Sequence, residues 1–191
     1  MTKNEFIYIK ERYVVNNKII NEREVGIILK ERGNCVIANF ANFGLPIEVP
    51  KNVITYFDPI KTGDGFKYKI CNVCNRLLDV NSFDKNQNGK NNRTVRRPSC
   101  NDCRKVIDGV DVTSREKKEW EKVKPNYEIW QCPICKKKTI PGLTSKVVLD
   151  HNHYTGKPRA WICDSCNTGL GRFKDDILLL QSAIDYLKKE V

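Results

Sequence analysis

The sequence predicts an α+β fold in three parts. A small antiparallel β-barrel covers residues 1–64, and two cysteine-stapled β/α repeats follow over residues 65–127 and 128–191. Three observations lead there. The first third alternates short apolar runs with turn residues. Eight of the nine cysteines fall in four Cys-x-x-Cys pairs: Cys71/Cys74, Cys100/Cys103, Cys132/Cys135 and Cys163/Cys166. The gaps between pairs nearly match, with 25 residues from Cys74 to Cys100 and 27 from Cys135 to Cys163.

In the first part, Val25–Lys30, the turn Gly33-Asn34 and Cys35–Phe40 read as a β-hairpin. Leu45–Pro50 and Val53–Phe57 read as further short strands. Several such strands separated by turns predict a small barrel. The order Val-Gly, turn Gly, Val-x-Ala-x-Phe, x-Val-Pro resembles SH3-like barrels, which implies a fold and no function. Cys35, the unpaired cysteine, sits in an alternating apolar run and reads as a small core residue.

Two residues between thiolates let both reach one tetrahedral ion from a tight turn, and two such pairs complete a four-sulfur site. Four pairs in series therefore predict two structural zinc ions rather than disulfides. Each block opens with a strand-like lead, Phe66–Ile70 or Tyr127–Trp130, and closes with a polar helix-like segment. Units this small bury little apolar surface, so metal binding supplies folding free energy. The charged stretch Glu116–Asn126 reads as the linker between repeats. From Asp175 onward a helix is expected, capped by Asp175 or Asp176, with Ile177, Leu180, Ile184 and Leu187 on one core-packing face.

At 191 residues and 40% hydrophobic content a packed core is attainable. No apolar run is long enough to span a bilayer and the N-terminus lacks a signal-peptide pattern, so a soluble cytoplasmic protein is expected. The net charge of +11 is uneven: +1 over residues 1–64, +7 over 65–127 and +3 over 128–191. A basic middle suits a polyanionic partner and is expected if that part lies along a phosphate backbone.

The repeats differ in their chemistry. The chain's only histidines, His151 and His153, lie in the second; aligned on the closing cysteines, the first has Asn88 opposite His151 and Arg104 opposite Asn167. Between its own cysteine pairs the first repeat carries Lys85–Arg97, with five basic residues (among them Lys90, Arg93, Arg96 and Arg97), amides and no acid. Arg suits guanine, and Asn or Gln suits adenine, in the major groove. This run is read as DNA-contacting in preference to a solvated hairpin loop.

The second repeat carries Val147-Val-Leu-Asp-His-Asn-His-Tyr-Thr-Gly-Lys-Pro-Arg-Ala-Trp-Ile-Cys-Asp-Ser-Cys-Asn167. It reads as a strand, a turn, a returning strand, a cysteine turn and a helix. Asp150 and His151 diverge at a strand end, and Asn167 is fixed by the adjacent Cys166. Phosphodiester hydrolysis needs a base for water and a hard divalent ion at the phosphate. An imidazole titrates in the right range, and carboxylate and amide oxygens suit Mg²⁺. His151 is accordingly the candidate base, with Asp150 and Asn167 as candidate ligands of the catalytic metal. Two extra histidines are not needed for zinc, because eight cysteines already complete two sites.

Leu149-Asp-His-Asn-His153, Thr155-Gly-Lys-x-Arg159, Cys163-x-x-Cys-Asn167, Gly169-Leu-Gly171 and Phe173-Lys-Asp-Asp176 together resemble the recombination endonuclease VII branch of the HNH, or ββα-metal, nucleases. The likeness covers about residues 128–188. It implies one catalytic Mg²⁺ or Mn²⁺ per chain on Asp150 and Asn167, water activation by His151, and structural cysteines. The whole chain is more similar to a ββα-metal Type II restriction endonuclease, which implies site-specific cleavage by a homodimer, one strand per subunit. A structure-specific or homing-type HNH nuclease is the alternative, and a non-catalytic zinc-bearing DNA-binding regulator is a third. For His153, help to the base or a phosphate contact stands against a structural hydrogen bond. Lys157 and Arg159 are candidate phosphate contacts, and Trp161 reads as core packing.

Overall fold

The computed structural model describes residues 5–89 and 94–189, so Lys90 and Arg93 lie outside the described residues. The chain divides into two compact units, Met1–Lys105 and Val106–Val191.

In the first unit, β1 (Phe6–Ile9), β4 (Val25–Arg32), β5 (Cys35–Phe40), β6 (Ile47–Pro50) and β7 (Ile54–Phe57) form an antiparallel sheet in the order β6-β5-β4-β1-β7. Tyr13–Val15 (β2) and Lys18–Ile20 (β3) make a separate hairpin. Alternate side chains face the same side of a strand. Ile7 and Ile9, then Val36, Ala38 and Phe40, then Ile47 and Val49 accordingly share one core with Ile20 and Ile54. Gly26 has a packing reason: a Cβ there would stand 2.7 Å from the Phe40 ring.

The expected SH3-like barrel is not closed. The edge strands β6 and β7 are linked through the single turn Lys51–Val53, yet no ladder joins them among the described residues. That turn carries the chain from one edge of the sheet to the other, and β6 ends on Pro50, which has no N–H to donate. What stands is a mixed α+β fold of small sheets.

The sheet and the first repeat lock together within this unit. Val25 N–H donates to Asn75 O at 2.9 Å, and Leu77 N–H to Arg23 O at 2.8 Å. Arg23 Nε returns a bond to Leu77 O at 2.8 Å, and its guanidinium lies over the rings of Tyr8 and Tyr68. Glu24, fully buried, accepts from Asn42 Nδ2 at 2.8 Å and from Asn21 N–H at 3.0 Å, which offsets the cost of burying its charge.

The repeat expected from cysteine spacing is present. In the first copy β8 (Tyr68–Ile70) pairs with β9 (Leu77–Asp79), β10 (Lys85–Asn88) pairs with β11 (Thr94–Arg96), and α1 (Asn101–Asp108) follows. In the second, β12 (Trp130–Gln131) pairs with β13 (Lys138–Thr139), β14 (Val147–His151) with β15 (Pro158–Cys163), and α3 (Asp164–Arg172) follows. Both first hairpins turn through the same knuckle. Asn75 N–H donates to Cys71 O at 3.0 Å in one and Lys136 N–H to Cys132 O at 3.0 Å in the other, and Asn75 and Lys136 both take positive φ.

Each set of four thiols is gathered so that all its sulfurs lie within 4.8 Å of one another. Bonds of ~2.3 Å to a tetrahedral zinc place sulfurs about 3.8 Å apart. Cys74 and Cys100 are 4.0 Å apart, Cys132 and Cys166 3.9 Å, and Cys135 and Cys163 3.8 Å. Disulfides would require ~2.05 Å, and all nine cysteines are free. Burial opposes ionisation of Cys71 and Cys132, but backbone N–H donors prevail and bring these thiols down to about 7 and about 6. Burial instead pushes Cys74 up to about 11 and Cys166 up to about 12. Four crowded thiols cannot all ionise unaided, and a dication resolves the conflict, so both groups fit structural zinc.

Two expectations change. Ser114–Glu121, which overlaps the first half of the expected linker, is a helix (α2) opened by a capping box between Thr113 and Glu116. It is tied to the second repeat where Trp161 Nε1 donates to Trp120 O at 3.0 Å, so Trp161 is a half-buried hydrogen-bond donor as well as a packing residue. The last helix, α4 (Ile177–Leu187), is capped by Asp176, but most of its expected core face is open: Ile177 is 79% exposed and Leu187 81%, while Leu180 is half-buried.

Two outcomes test this account. Metal analysis of the purified chain should find two zinc ions per chain, and Cys132→Ser should halve that number and melt the second repeat. Phe83 is fully buried against Cys71 and Cys100. Phe83→Ala should therefore lower stability by about 3–5 kcal/mol in urea titrations of the zinc-loaded protein.

Candidate active site

The second unit holds the site, on the β14–β15 hairpin and α3. Apolar Val147 and Ile162 are buried and seat the hairpin. The ladder runs in register from Val147↔Cys163 to Asp150↔Ala160, then jumps to His151↔Pro158. Arg159 is the extra residue of this bulge. A bulge bends its strand and re-aims side chains. Here it brings Arg159 back toward Asp150, whose Oδ2 accepts from the guanidinium at 3.1 Å.

The loop that follows is closed by Asn152. Its Oδ1 accepts from Tyr154 N–H at 2.8 Å and Thr155 N–H at 3.1 Å, and its carbonyl accepts from Gly156 N–H at 2.7 Å. Such side-chain-to-backbone bonds are the reason Asn favours turns. Gly156 lies at φ +71, and a Cβ there would press on the Asp111 carbonyl at 2.7 Å. A larger residue would push the loop off the 107–111 segment beneath it.

Asp150 is 6% exposed. The same Arg159 nitrogen that holds it also donates to Asp175 Oδ2 at 3.2 Å. Burial disfavours the guanidinium charge, but the two carboxylates outweigh it and raise the Arg159 pKa. His151 and His153 stack with ring centroids 4.8 Å apart and planes tilted by 34°. His153 Nδ1 lies 3.0 Å from Ile107 O, and its Nε2 lies 4.0 Å from Asp175 Oδ2. His151 Nε2 is buried and has no hydrogen-bond partner among the described residues. Burying such an atom costs free energy unless something else engages it. A nitrogen left open at a strand end is suited to a water or a substrate proton.

Asn167 stands half-buried on α3, the helix packed on β14 and β15, directly after Cys166. Cys163 precedes that helix as its N-cap residue, so the second cysteine group sets where α3 begins. The donor set meets what a hard cation requires: a buried carboxylate from the strand and an amide oxygen from the helix. Asp150 and Asn167 are the residues that would hold it.

The structure thus brings Asp150, His151, His153 and Arg159 together, with Asn167 on the packed helix. Lys157 is exposed in the turn, its N–H donating to Thr155 Oγ1 at 3.3 Å. In the first repeat, the described ends of the basic run pair with each other: wholly exposed β10 lies antiparallel to half-buried β11. Arg97 is half-buried beside it, its N–H bonded to Asp84 O at 2.8 Å. Arg96 points into the repeat, donating to Phe83 O at 2.7 Å and Asn81 Oδ1 at 3.1 Å. Sequence reasoning missed Asp175 as part of the site. Its neighbour Asp176 is the helix cap, and nothing in the spacing separates the two.

Comparison with known proteins agrees with this geometry. The family model for recombination endonuclease VII matches residues 108–189, and that for the His-Me finger endonuclease beta4-alpha2 domain matches residues 58–109. The Gene 59 protein of Mycobacterium phage D29 is 30% identical over 132 residues, covering 51% of this chain and 78% of that protein. The crystal structure of the ββα-Me type II restriction endonuclease Hpy99I superposes with a TM-score of 0.87 at 40% identity, covering 98% of both chains. The β-hairpin, the cysteine-anchored helix and the histidine at the strand end are therefore the parts of a nuclease, and the chain belongs to the ββα-Me, or His-Me finger, endonucleases.

Proposed function

We propose that this nuclease is a Type II restriction endonuclease that cuts double-stranded DNA at a short specific site, as a homodimer with one active site per strand. The observation that carries the hydrolytic chemistry is the buried, unpartnered Nε2 of His151 beside the buried carboxylate of Asp150. Similarity over nearly the whole chain to a Type II enzyme supports the choice of site-specific cleavage over junction or homing activity.

In this reading His151 takes the proton of the attacking water. Its stacking on His153 restricts the ring to one orientation, which shortens the search for the reactive geometry. Asp150 and Asn167 would hold one Mg²⁺ or Mn²⁺, which when bound supplies charge stabilisation at the scissile phosphate. Arg159, already poised at the carboxylate, offers its remaining donors to a phosphate oxygen, and Lys157 extends the positive surface along the turn. Lys90, Arg93 and Arg97 of the basic run, whose described part forms the β10–β11 hairpin, are assigned to DNA contact. Arg96 supports that hairpin from inside through its bonds to Phe83 and Asn81. Residues 65–127 serve as the DNA-holding repeat and 128–191 as the cutting one. DNA as substrate supports action in the cytoplasm.

Incubating a long DNA of known sequence with the protein and Mg²⁺, then mapping the ends, tests the function. Discrete fragments with uniform ends are expected; cutting confined to branched DNA would sink the restriction reading. His151→Ala should reduce cleavage by about 10²–10⁴-fold while DNA affinity holds, since the base is not needed for binding. Wild-type protein that binds DNA yet cleaves nothing with Mg²⁺ or Mn²⁺ would identify a regulator instead.

A further inference from the structure

Lys174, at φ +57, ends α3 in a Schellman cap: its N–H donates to Gly171 O at 3.1 Å and Asp175 N–H donates to Leu170 O at 3.1 Å. Asp175 stays left-handed for a second residue, at φ +53, which that cap does not require. That region is sparsely populated outside glycine, and residues kept there mark places where the surroundings impose the conformation. Capping of α4 does not explain it. Asp176 performs that task, accepting from Leu178 N–H at 2.7 Å and Leu179 N–H at 3.3 Å. The twist instead buries one carboxylate. The Asp175 side chain is 10% exposed, whereas Phe173, Lys174, Asp176 and Ile177 around it are all exposed.

The buried carboxylate meets two cationic or polarisable groups of the candidate site. Its Oδ2 accepts from Arg159 at 3.2 Å and lies 4.0 Å from His153 Nε2. Each of these side chains is fixed again from elsewhere. Arg159 reaches Asp150 at 3.1 Å through the same nitrogen. The His153 ring is held at Nδ1, 3.0 Å from Ile107 O, and its carbonyl accepts from Val110 N–H at 2.7 Å. Gly109, at φ +61, permits that approach, since a Cβ there would overlap the His153 carbonyl. His153 in turn faces His151 at 4.8 Å. Asp175 thus touches neither Asp150 nor His151, yet reaches each through one intermediate side chain.

We propose that Asp175 is a positioning residue for cleavage: its carboxylate, aimed by the left-handed turn, anchors Arg159 beside Asp150 and His153 beneath His151. His153 then acts as a clamped platform for the base rather than as a second base. Outer residues that orient catalytic and metal-ligating groups commonly matter by about 10- to 100-fold. The assignment rests on the reading of His151 as the base.

The test uses the full-length, zinc-loaded chain and the variant Asp175→Asn, which keeps the shape and removes the charge. Because the chain has two histidines, long-range ¹H–¹⁵N spectra resolve both imidazoles. In Asp175→Asn the ring signals of His153 and His151 should both shift. On a plasmid carrying a mapped cleavage site with Mg²⁺, kcat should fall about 10- to 100-fold with KM changed less than about twofold. Affinity for Mn²⁺ alone, by titration calorimetry, should stay within about threefold of wild type. If Asn does not fold, Asp175→Glu carries the charge one methylene farther and should likewise lower kcat at constant KM. Unmoved histidine signals, an unchanged kcat, or Mn²⁺ binding lost with the carboxylate would each overturn the proposal, the last in favour of direct coordination. Wild type that cleaves no DNA would refute the nuclease reading instead, and the histidine spectra would still decide the anchoring.

Discussion

Four sulfur atoms gathered within 4.8 Å, twice over, are the constraint on which the molecule depends. Thiols that close repel as thiolates and bury poorly as a set, and the arrangement fits a dication that would relieve both. In each repeat one cysteine pair sits in a hairpin knuckle and the other at a helix start. Holding the four together therefore fixes the helix against the sheet without a large core. The first repeat shows how little apolar matter is needed: its buried cluster is Cys71, Phe83 and Cys100.

The same constraint reaches the chemistry in the second repeat. Cys163 and Cys166 place the start of α3, and Asn167 is the next residue. Val147 lies opposite Cys163 in the hairpin, so the strand that leads to Asp150 and His151 is registered from the same point. Two groups assigned to one cation thus come from a strand and a helix that share one anchor. The bulge at Arg159 then brings a counter-charge to Asp150, and the αL turn at Asp175 supplies the second acid. This is local strain placed beside a site, as expected where geometry is over-determined.

The two copies share a frame but not their side chains. Both copies keep the knuckle, the second hairpin and the helix, and only the second keeps the histidines. The first copy presents the exposed, amide-rich strand β10 in the equivalent position. The apolar residues of α4 stay exposed, since so small a unit cannot cover every helix face.

Much of this was legible in the chain itself. Cysteine spacing alone determined the two metal-fitting groups and the repeat, because ligand geometry is short-range and leaves a fixed signature. The strand, turn, strand and helix around Asp150, His151 and Asn167 were legible for the same reason. Other features depend on residues far apart in sequence. The sheet's failure to close turned on where a single 3₁₀ turn sends the chain. The expected linker proved to be a helix tied through Trp120 to Trp161. Arg159 became a partner of Asp150 only through a register shift, and Asp175 joined the site only because two left-handed residues turned it inward while Asp176 took the cap. Spacing fixes what neighbours in sequence can share, but which buried charge meets which donor is decided by packing, where desolvation makes an unpaired group too costly to keep.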